Sequence, residues 1–340
     1  MAFDNIRLEK GMYQTSGRSF TQVLESLDPS EQYRGTAMEG LDAYQRQLKR
    51  FDIHVKGSGS DCVEKFFRTV DSAVLFPEFI ARTVRAGLEE HNPLPSLLAT
   101  TTNIDAIDYR GICAVPETAS TDEVAEGAAI PAVQVKVKEK LIRLNKRGRM
   151  LVASYEAIRF QKLDLFAVML RQIGQYIQQA LVGDAIDVLI SGDGNTNTAA
   201  PTYAIGTSPI SGTSGTLAYA QLVEFWSQFA PYEMNTLLAG SAAMVSLLKV
   251  SELQNPLTGL NFQGTGMLAS PLGATLVRCD SMPSGKLAGV DRRYALEMVQ
   301  AGDITVDYDR LIDRQMERAA VTSLVGFSKI SGEAARVLTI

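Results

Sequence analysis

The sequence predicts an α+β protein in which strands near the C-terminus return to a region that begins early in the chain. Three patterns carry this prediction. Apolar residues recur at spacings of three and four across residues 163–190 without a proline, which is typical of one long helix. Strict apolar–polar alternation across 133–138 predicts a strand, and the alternation and apolar runs across 304–327 predict further strands.

Length and composition limit the function classes. The chain has 340 residues, 46% of them hydrophobic, and a formal net charge of -5. This charge disfavours a protein that binds nucleic acid through a basic surface. The three cysteines form no CxxC pair, so neither a disulfide framework nor a structural zinc site is expected, and reduced thiols are the simpler interpretation. The N-terminus does not resemble a signal peptide and no apolar stretch is long enough to span a membrane, so we expect a protein made and kept inside a cell.

The first 70 or so residues differ from the rest in composition. Ten basic and eleven acidic residues lie between Asp4 and Asp71, and apolar clusters are few. Helices are predicted at Phe20–Leu27 and Tyr44–Phe51, joined by polar stretches such as Gly57–Ser60. We expect this segment to bury little by itself and to lie on another surface or another subunit.

A denser apolar pattern begins at Val74. It predicts a short amphipathic helix that starts at Phe76-Pro77, with the proline in the first turn, and stops before Asn92-Pro93. Residues 104–150 then predict an extended hairpin: a strand over Ile104–Ile112, a loop of nearly 20 residues, and a second strand after Pro131. A loop of this length within a compact domain is usually functional.

The two halves of the hairpin carry opposite charges. The valines of the second strand should face a buried side, so that the bases beside them project outward. We expect the acidic loop to meet the basic strand of a like subunit, although a merely solvated hairpin remains an alternative. The candidate contacts are Asp122, Glu123 and Glu126 in the loop, and Lys136, Lys138, Arg147 and Arg149 in the strand.

The long helix is predicted to begin with Ser154 as its N-cap and to end at the turn Ser191-Gly192-Asp193-Gly194. A linker rich in small polar residues, Asn195–Thr216, marks a domain boundary. Beyond it the patterns predict a helical face around Leu222–Phe229 and another over Leu237–Leu253. Short strands follow at Thr275–Cys279, Lys286–Val290 and Tyr294–Val299.

Residues for enzymatic chemistry are scarce. Histidine occurs only at positions 54 and 91, so no triad or HExxH motif is available to the later core, and both histidines are expected to be solvated. Phosphate-binding and dinucleotide-binding glycine motifs are missing. Asp184 and Asp187 lie three apart on the long helix, but without converging ligands a solvated pair is favoured over a cation site. No catalytic, cofactor-binding or metal residue is assigned.

The order of these parts resembles the major capsid protein of tailed bacteriophages, a family with the Hong Kong 97-type fold, also called the Johnson fold. The resemblance covers about Val74 to Ile330, and its motifs are specific only as an ordered set. They are Phe76-Pro77-Glu78, Glu126-Gly127 with Ile130-Pro131, Ser154-Tyr155-Glu156, Ser191-Gly192-Asp193-Gly194, the run 280–285, Asp291 with Tyr294, and Gln315-Met316-Glu317-Arg318.

The resemblance implies a division of the chain. Its parts are an N-terminal arm (1–74), the start of a peripheral domain (75–102), an extended hairpin loop (103–150), a spine helix (151–200), an axial domain (201–302) and C-terminal strands of the peripheral domain (303–340). It also implies self-assembly into hexamers and pentamers of an icosahedral shell around double-stranded DNA, which is held without sequence-specific binding. No membrane partner is expected.

The resemblance further implies a portal partner, scaffold or decoration proteins in some members, synthesis in the cytoplasm of a bacterial host, and localisation in the virion capsid. Two alternatives remain at this point. One is the shell of an encapsulin-like compartment, which would hold protein cargo. The other, from a different class, is a soluble α/β enzyme, which the missing catalytic residues disfavour.

Overall fold

A computed structural model describes residues 2–14, 18–106, 108–116, 133–154, 157, 160–195, 198–255, 257, 271–302, 304–311 and 315–340. The chain forms two compact units. The first comprises Met1–His91, Arg147–Gln178 and Ile304–Ser323, and the second comprises Asn92–Lys146, Gln179–Asp303 and Leu324–Ile340. No helix of the described chain is both long and apolar enough to cross a membrane.

The helices confirm most of the periodicity argument. The long helix is present, and the first two short helices lie within a residue or so of their predicted positions. In chain order the helices are α1 (Phe20–Leu27), α2 (Ala43–Arg50), α3 (Val70–Glu89), α4 (Leu163–Ser191), α5 (Tyr219–Ser227), α6 (Ser241–Leu248) and α7 (Ser251–Gln254).

The predicted C-terminal strands are present, but the hairpin differs from the prediction. The strand expected over Ile104–Ile112 is wrong, because one strand ends at Ile104 and the next begins at Ile112. The basic strand expected to continue to Arg149 is divided into two strands, Val133–Val137 and Asn145–Ser154. In chain order the strands are β1 (Leu98–Ile104), β2 (Ile112–Pro116), β3 (Val133–Val137), β4 (Asn145–Ser154), β5 (Thr202–Ala204), β6 (Thr236–Ala239), β7 (Thr275–Arg278), β8 (Lys286–Val290), β9 (Leu296–Ala301), β10 (Thr305–Leu311), β11 (Met316–Lys329) and β12 (Ala335–Thr339).

In the first unit, α1, α2, α3 and the start of α4 accompany β4, β10 and the first half of β11. β10 pairs antiparallel with β11, from Thr305 opposite Thr322 to Leu311 opposite Met316. Phe66, Phe76 and Phe166 are fully buried, and their rings contact one another in series. An aromatic cluster therefore forms part of the core of this unit.

The expectation that the N-terminal segment buries little is wrong. Its apolar residues are few, but short capped helices bring them together, and Phe20, Leu24 and Leu48 are buried within the first unit. Polar contacts reinforce the packing: Tyr13 donates a hydrogen bond to the carbonyl of Val74, 2.7 Å away. The average composition of 70 residues does not show where the few apolar side chains lie. A small number of them is sufficient, because α3 contributes further buried residues to the same unit.

Two predicted helix ends are also wrong. Pro77 does not begin α3; the helix starts at Val70, where Thr69 caps it through Ser72 and places the proline in its interior. Ser154 ends β4 rather than capping the long helix, which begins at Leu163. Local cap signals predicted these ends, but the real boundaries follow from which residues each unit buries.

The second unit contains a five-stranded sheet in the order β5-β12-β8-β6-β7. β12, the last strand of the chain, pairs with β8 and β5, which explains why apolar strands return so late. The prediction of one helical face over Leu237–Leu253 is wrong at its start, because β6 occupies Thr236–Ala239 and α6 begins only after Gly240. A continuous apolar run does not distinguish a buried strand from a buried helix.

The second unit also contains part of another sheet, and the hairpin. β1 pairs parallel with β9, and β9 pairs antiparallel with the end of β11, from Val325 to Lys329. β2 and β3 form a separate two-stranded sheet with Ile112 opposite Val137. The hairpin of β2 and β3 belongs to the second unit.

Candidate self-association surface

The hairpin of β2 and β3 exposes an apolar face. The antiparallel register places Ile112, Val135 and Val137 on the same side of the two-stranded ladder. These side chains are 61%, 69% and 62% exposed, respectively. We call these three residues the hairpin ladder. The predicted alternation is present, but the expectation that the valines face a buried side is wrong within a single chain, because nothing among the described residues covers this face.

Lys138 corrects the predicted basic stripe. It was expected to project outward with the other bases, but its side chain is buried and its Nζ lies 2.6 Å from Oδ2 of Asp193. Nζ also donates to the hydroxyl of Ser328 at 2.9 Å and to the carbonyl of Lys329. The alternation argument fails here because Lys138 lies at the base of the hairpin, just after the last residue of β3, where Asp193 and Ser328 supply buried polar partners.

Burial and neighbouring charges shift the pKa values of Asp193 and Lys329, which lie close to Lys138. Burial would raise the pKa of Asp193, but hydrogen bonds from Lys138 and Asn195 and the positive charge of Lys138 lower that pKa to about 2. Burial lowers the pKa of Lys329 to about 8, partly offset by attraction to Asp193. The carboxylate of Asp193 therefore stays ionised throughout the physiological range.

The other candidate contacts fall into three groups. Lys136 is exposed on the side of β3 opposite the hairpin ladder, as predicted. Arg149 is exposed, and its guanidinium carbon lies 4.9 Å from the ring centroid of Tyr176. Arg147 is half-buried. The acidic candidates Asp122, Glu123 and Glu126 lie outside the described residues.

A second exposed apolar surface lies on the first part of α4. Leu163, Phe166 and Leu170 are buried as the periodicity predicts. Other apolar residues of the helix point away from that buried side at spacings of three, four and seven. We call them the helix face: Leu165, Val168, Met169 and Tyr176, each between 41 and 56% exposed.

Sequence reasoning missed the helix face although its signal was present. A helix that is apolar on two sides either lies in the middle of a core or meets a partner on the second side. The second set of apolar residues in α4 was therefore the signal for a contact surface.

Residues suited to catalysis or metal binding do not converge in the described chain. Both histidines are exposed, as predicted; the ring nitrogen Nδ1 of His54 lies 3.3 Å from Oδ2 of Asp61. Asp187 is exposed and Asp184 is half-buried on α4. Among the described residues, no three or more metal-binding side chains of His, Cys, Asp or Glu cluster together.

Comparison with known proteins shows which protein family this chain matches. Residues 137–323 match a family model described as phage capsid protein. A comparison with curated protein sequences found no significant match.

Solved structures share the fold at low identity. The capsid of a native GTA particle is 15% identical with a TM-score of 0.53, over 73% of this chain and 89% of that one. The capsid of cyanophage P-SCSP1u is 14% identical with a TM-score of 0.52, over 72% and 86%. A structure from Mycobacterium phage Bobi is 12% identical with a TM-score of 0.51, over 73% and 90%. The fold is the Hong Kong 97-type α+β fold that the sequence predicted.

Proposed function

This chain belongs to the phage capsid protein family, and from that membership we propose that its copies assemble as hexamers and pentamers into a closed icosahedral shell around double-stranded DNA. The protein is a major capsid protein of the tailed-phage type, a structural protein rather than an enzyme. Its location is the virion capsid. In this proposal it is synthesised in the cytoplasm of the bacterial host.

The hairpin ladder is the observation that supports assembly most directly. A two-stranded sheet is at best marginally stable in water on its own. Its face also leaves three neighbouring aliphatic side chains exposed to solvent, which is unfavourable unless a partner covers them. A second copy of the chain is the partner that a shell supplies at every hairpin. Burial of the ladder against that copy would give the hairpin the additional layer that it lacks.

The helix face is the surface we propose for that contact. It offers four exposed apolar side chains on a rigid helix, and it is present once in every copy. A ladder on one copy and a face on the next form a heterologous contact, which closes into a ring when the rotation between subunits closes. Such rings are the hexamers and pentamers of the proposal.

Charge supports the same arrangement. We propose that Lys136 and Arg149 bind Asp122, Glu123 and Glu126 of a neighbouring copy. Single exposed ion pairs contribute only about 0.2–1 kcal/mol each, but every copy in a shell repeats them. The contribution of Arg149 is combined with its packing on Tyr176, so Lys136 offers the cleaner test.

Further parts of the proposal follow the predicted division of the chain into an N-terminal segment (1–74), here packed within the first unit, a hairpin loop (103–150), a peripheral domain with the spine helix, and an axial domain (201–302). A portal, and scaffold or decoration proteins, are the proposed additional partners. The DNA is proposed to be enclosed without sequence-specific contacts, consistent with the net charge of -5.

Changing both valines of the ladder, Val135→Glu and Val137→Glu, is expected to abolish particle formation while leaving the subunit folded. The side chains are mostly exposed in the single chain, so their replacement removes little intramolecular packing, whereas two carboxylates would be desolvated at every contact between subunits. Sedimentation and electron microscopy report particles, and circular dichroism reports the fold.

The matched control is Val135→Ile with Val137→Ile, which keeps both side chains apolar and β-branched and should still form particles. Normal particles from the double-glutamate variant would show that the ladder is not buried on assembly. Wild-type protein that forms only small oligomers across salt, concentration and added scaffold would instead contradict the shell itself.

Charge reversal at Lys136 tests the electrostatic contact. Lys136→Glu is expected to raise the protein concentration needed for assembly several-fold at low ionic strength, and less so at high salt because exposed charges are screened. Added Glu123→Lys and Glu126→Lys should partly restore assembly. The control Lys56→Glu reverses an exposed lysine outside the hairpin. Equal effects of the two lysine reversals would mean that only net charge matters.

A further inference from the structure

Asp193, in the turn after α4, forms the centre of a buried polar cluster in the second unit. The side chain of Asp193 is 3% exposed. Oδ2 accepts hydrogen bonds from Nζ of Lys138 at 2.6 Å, from the backbone N–H of Lys329 at 3.2 Å and from the hydroxyl of Ser328 at 3.3 Å. Oδ1 accepts from the backbone and side-chain N–H groups of Asn195 at 3.1 and 3.2 Å. One carboxylate therefore joins three separate segments of the chain.

The first of these segments is the base of the hairpin. The N–H of Lys138 donates to the carbonyl of Gly111 at 2.9 Å, directly beside the first residue of β2 and the last residue of β3. The N–H of Lys140 donates to Oδ1 of Asn195 at 3.0 Å. The base of the hairpin is therefore bonded to the turn at residues 193–195 through the side chain of Lys138 and the backbone of Lys140.

Gly111 makes this connection possible. A Cβ atom at this position would lie 2.9 Å from Oγ of Ser328 and 3.4 Å from Cδ of Lys138. A larger residue would displace the hydroxyl of Ser328, which accepts from Nζ of Lys138 and donates to Oδ2 of Asp193.

The other side of the cluster is the end of α4. The carbonyls of Val188 and Ile190 accept from the N–H groups of Gly192 and Ala200, at 2.9 Å each. The carbonyl of Leu189 accepts from Nζ of the buried Lys329 at 2.8 Å. Three of the four carbonyls that a helix end leaves without intrahelical partners are thereby bonded, so Asp193 is held in a rigid cap.

We infer that Asp193 is a positioning residue for assembly, which holds the base of the hairpin against the capped end of α4 and so sets the direction in which the hairpin leaves its unit. The inference rests on the proposed function, since it concerns how the hairpin reaches a neighbouring copy. β3 extends about 16 Å beyond Lys138, so a swing of about 20° at the base would move its far end by about 5 Å. A hairpin that is already oriented loses less conformational freedom when it docks.

The test compares Asp193→Asn and Lys138→Met with wild type. Asp193→Asn keeps the size and one acceptor oxygen but removes the charge, and Lys138→Met keeps the apolar stem but removes the ammonium. Hydrogen exchange at the amides of Lys138 and Ile142 in the dissociated subunit measures the hairpin base, because these amides bond to Gly111 and Tyr109 across it. We expect at least tenfold faster exchange there, and at least a tenfold higher concentration for assembly, under conditions in which both variants are folded.

Asp291→Asn is the matched control. Asp291 is another fully buried carboxylate of the second unit, where it accepts from Arg293, Asn235 and the backbone of Glu233 without contacting the hairpin base. This change should lower stability while leaving hairpin exchange unchanged and assembly of the folded fraction normal. Loss of assembly to the same extent in Asp193→Asn and Asp291→Asn would overturn the inference, because Asp193 would then act only through stability.

Unchanged exchange at Lys138 and Ile142 in both hairpin-base variants would overturn the inference as well. If Asp193→Asn fails to fold, Lys138→Met decides the outcome alone, since it leaves the turn and its other hydrogen bonds in place. A wild-type protein that never assembles would contradict the proposed function. The exchange measurement needs no particles and would still decide whether Asp193 anchors the hairpin.

Discussion

Replacing Arg46 with alanine is expected to lower the free energy of unfolding of the subunit by about 3–5 kcal/mol, because it leaves a buried carboxylate without its cation. The side chains of Arg46 and Asp28 are both 0% exposed, and Nε of Arg46 lies 2.6 Å from Oδ2 of Asp28. The guanidinium also donates to the carbonyls of Asp28 and Leu41 and to the hydroxyl of Ser30. It packs 4.3 Å from the ring centroid of Tyr33.

Without Arg46 the carboxylate of Asp28 would keep the hydrogen bond from Tyr33 at 2.6 Å but lose its buried positive partner. Denaturant unfolding of the dissociated subunit measures the effect. Arg46→Lys should give a smaller loss, since it keeps the charge but not the forked geometry. The control Arg7→Ala removes an arginine from an exposed pair with Glu9 and should change stability by no more than about 0.5 kcal/mol.

This experiment also decides what the N-terminal segment is. If it were only an arm that clasps neighbours, Arg46→Ala would impair assembly and leave unfolding of the isolated subunit at the wild-type denaturant concentration. The burial of Phe20, Leu24 and Leu48 within the first unit instead predicts that this unit loses stability before any neighbour is involved.

Replacing Gly174 with alanine is expected to destabilise the subunit, although alanine is the better helix former by about 1 kcal/mol. A Cβ atom at Gly174 of α4 would lie 2.2 Å from the carbonyl oxygen of Val84 and 2.9 Å from the backbone nitrogen of Leu88, both in α3. Gly87 of α3 is in the reciprocal situation, with the carbonyl oxygen of Arg171 at 2.2 Å. The two helices thus cross backbone to backbone within the first unit.

Backbone atoms cannot yield by a change of rotamer, so the helices must separate and lose contacts along the crossing. Such overpacking typically costs about 1–3 kcal/mol and occasionally more, which outweighs the gain in propensity. Thermal unfolding of Gly174→Ala and Gly87→Ala measures the loss. The control Gly183→Ala lies on the same helix, but its nearest neighbour, Oγ of Ser281, is 3.9 Å away. This control should be neutral or stabilising, and equal shifts for Gly174→Ala and Gly183→Ala would contradict the close crossing.

Much of the fold could be predicted because the patterns concerned are local. Spacings of three and four define α4 between Leu163 and Ser191 in almost any packing. Alternation defines β3 and β10, and the ordered motifs from Val74 onward were specific enough to indicate the family. The charge pattern of the hairpin likewise pointed to Lys136 and Arg149 as candidates for contact between subunits, a role that stays a prediction.

The candidate site was predicted less completely, because side-chain direction depends on where an element ends. Lys138 carries the same charge and falls in the same alternation as Lys136, yet one residue beyond the end of β3 its ammonium turns inward to Asp193. The valines of β3 alternate as expected, but whether their face is covered depends on what packs on the ladder. The apolar residues of the helix face are present in the sequence of α4, but the periodic set that is buried gave the stronger pattern.

Periodicity, charge and motif order therefore determined by themselves most of the elements, the α+β class of the fold, and the family that the chain resembles. Contacts between residues far apart in the chain decided the rest. The pairing of Arg46 with Asp28, the crossing at Gly87 and Gly174, and the junction of Lys138 with Asp193 and Lys329 each join segments separated by 18 to 191 residues. The free energy of these contacts depends on burial and on distances of a few ångströms, and neither quantity exists until the chain has folded.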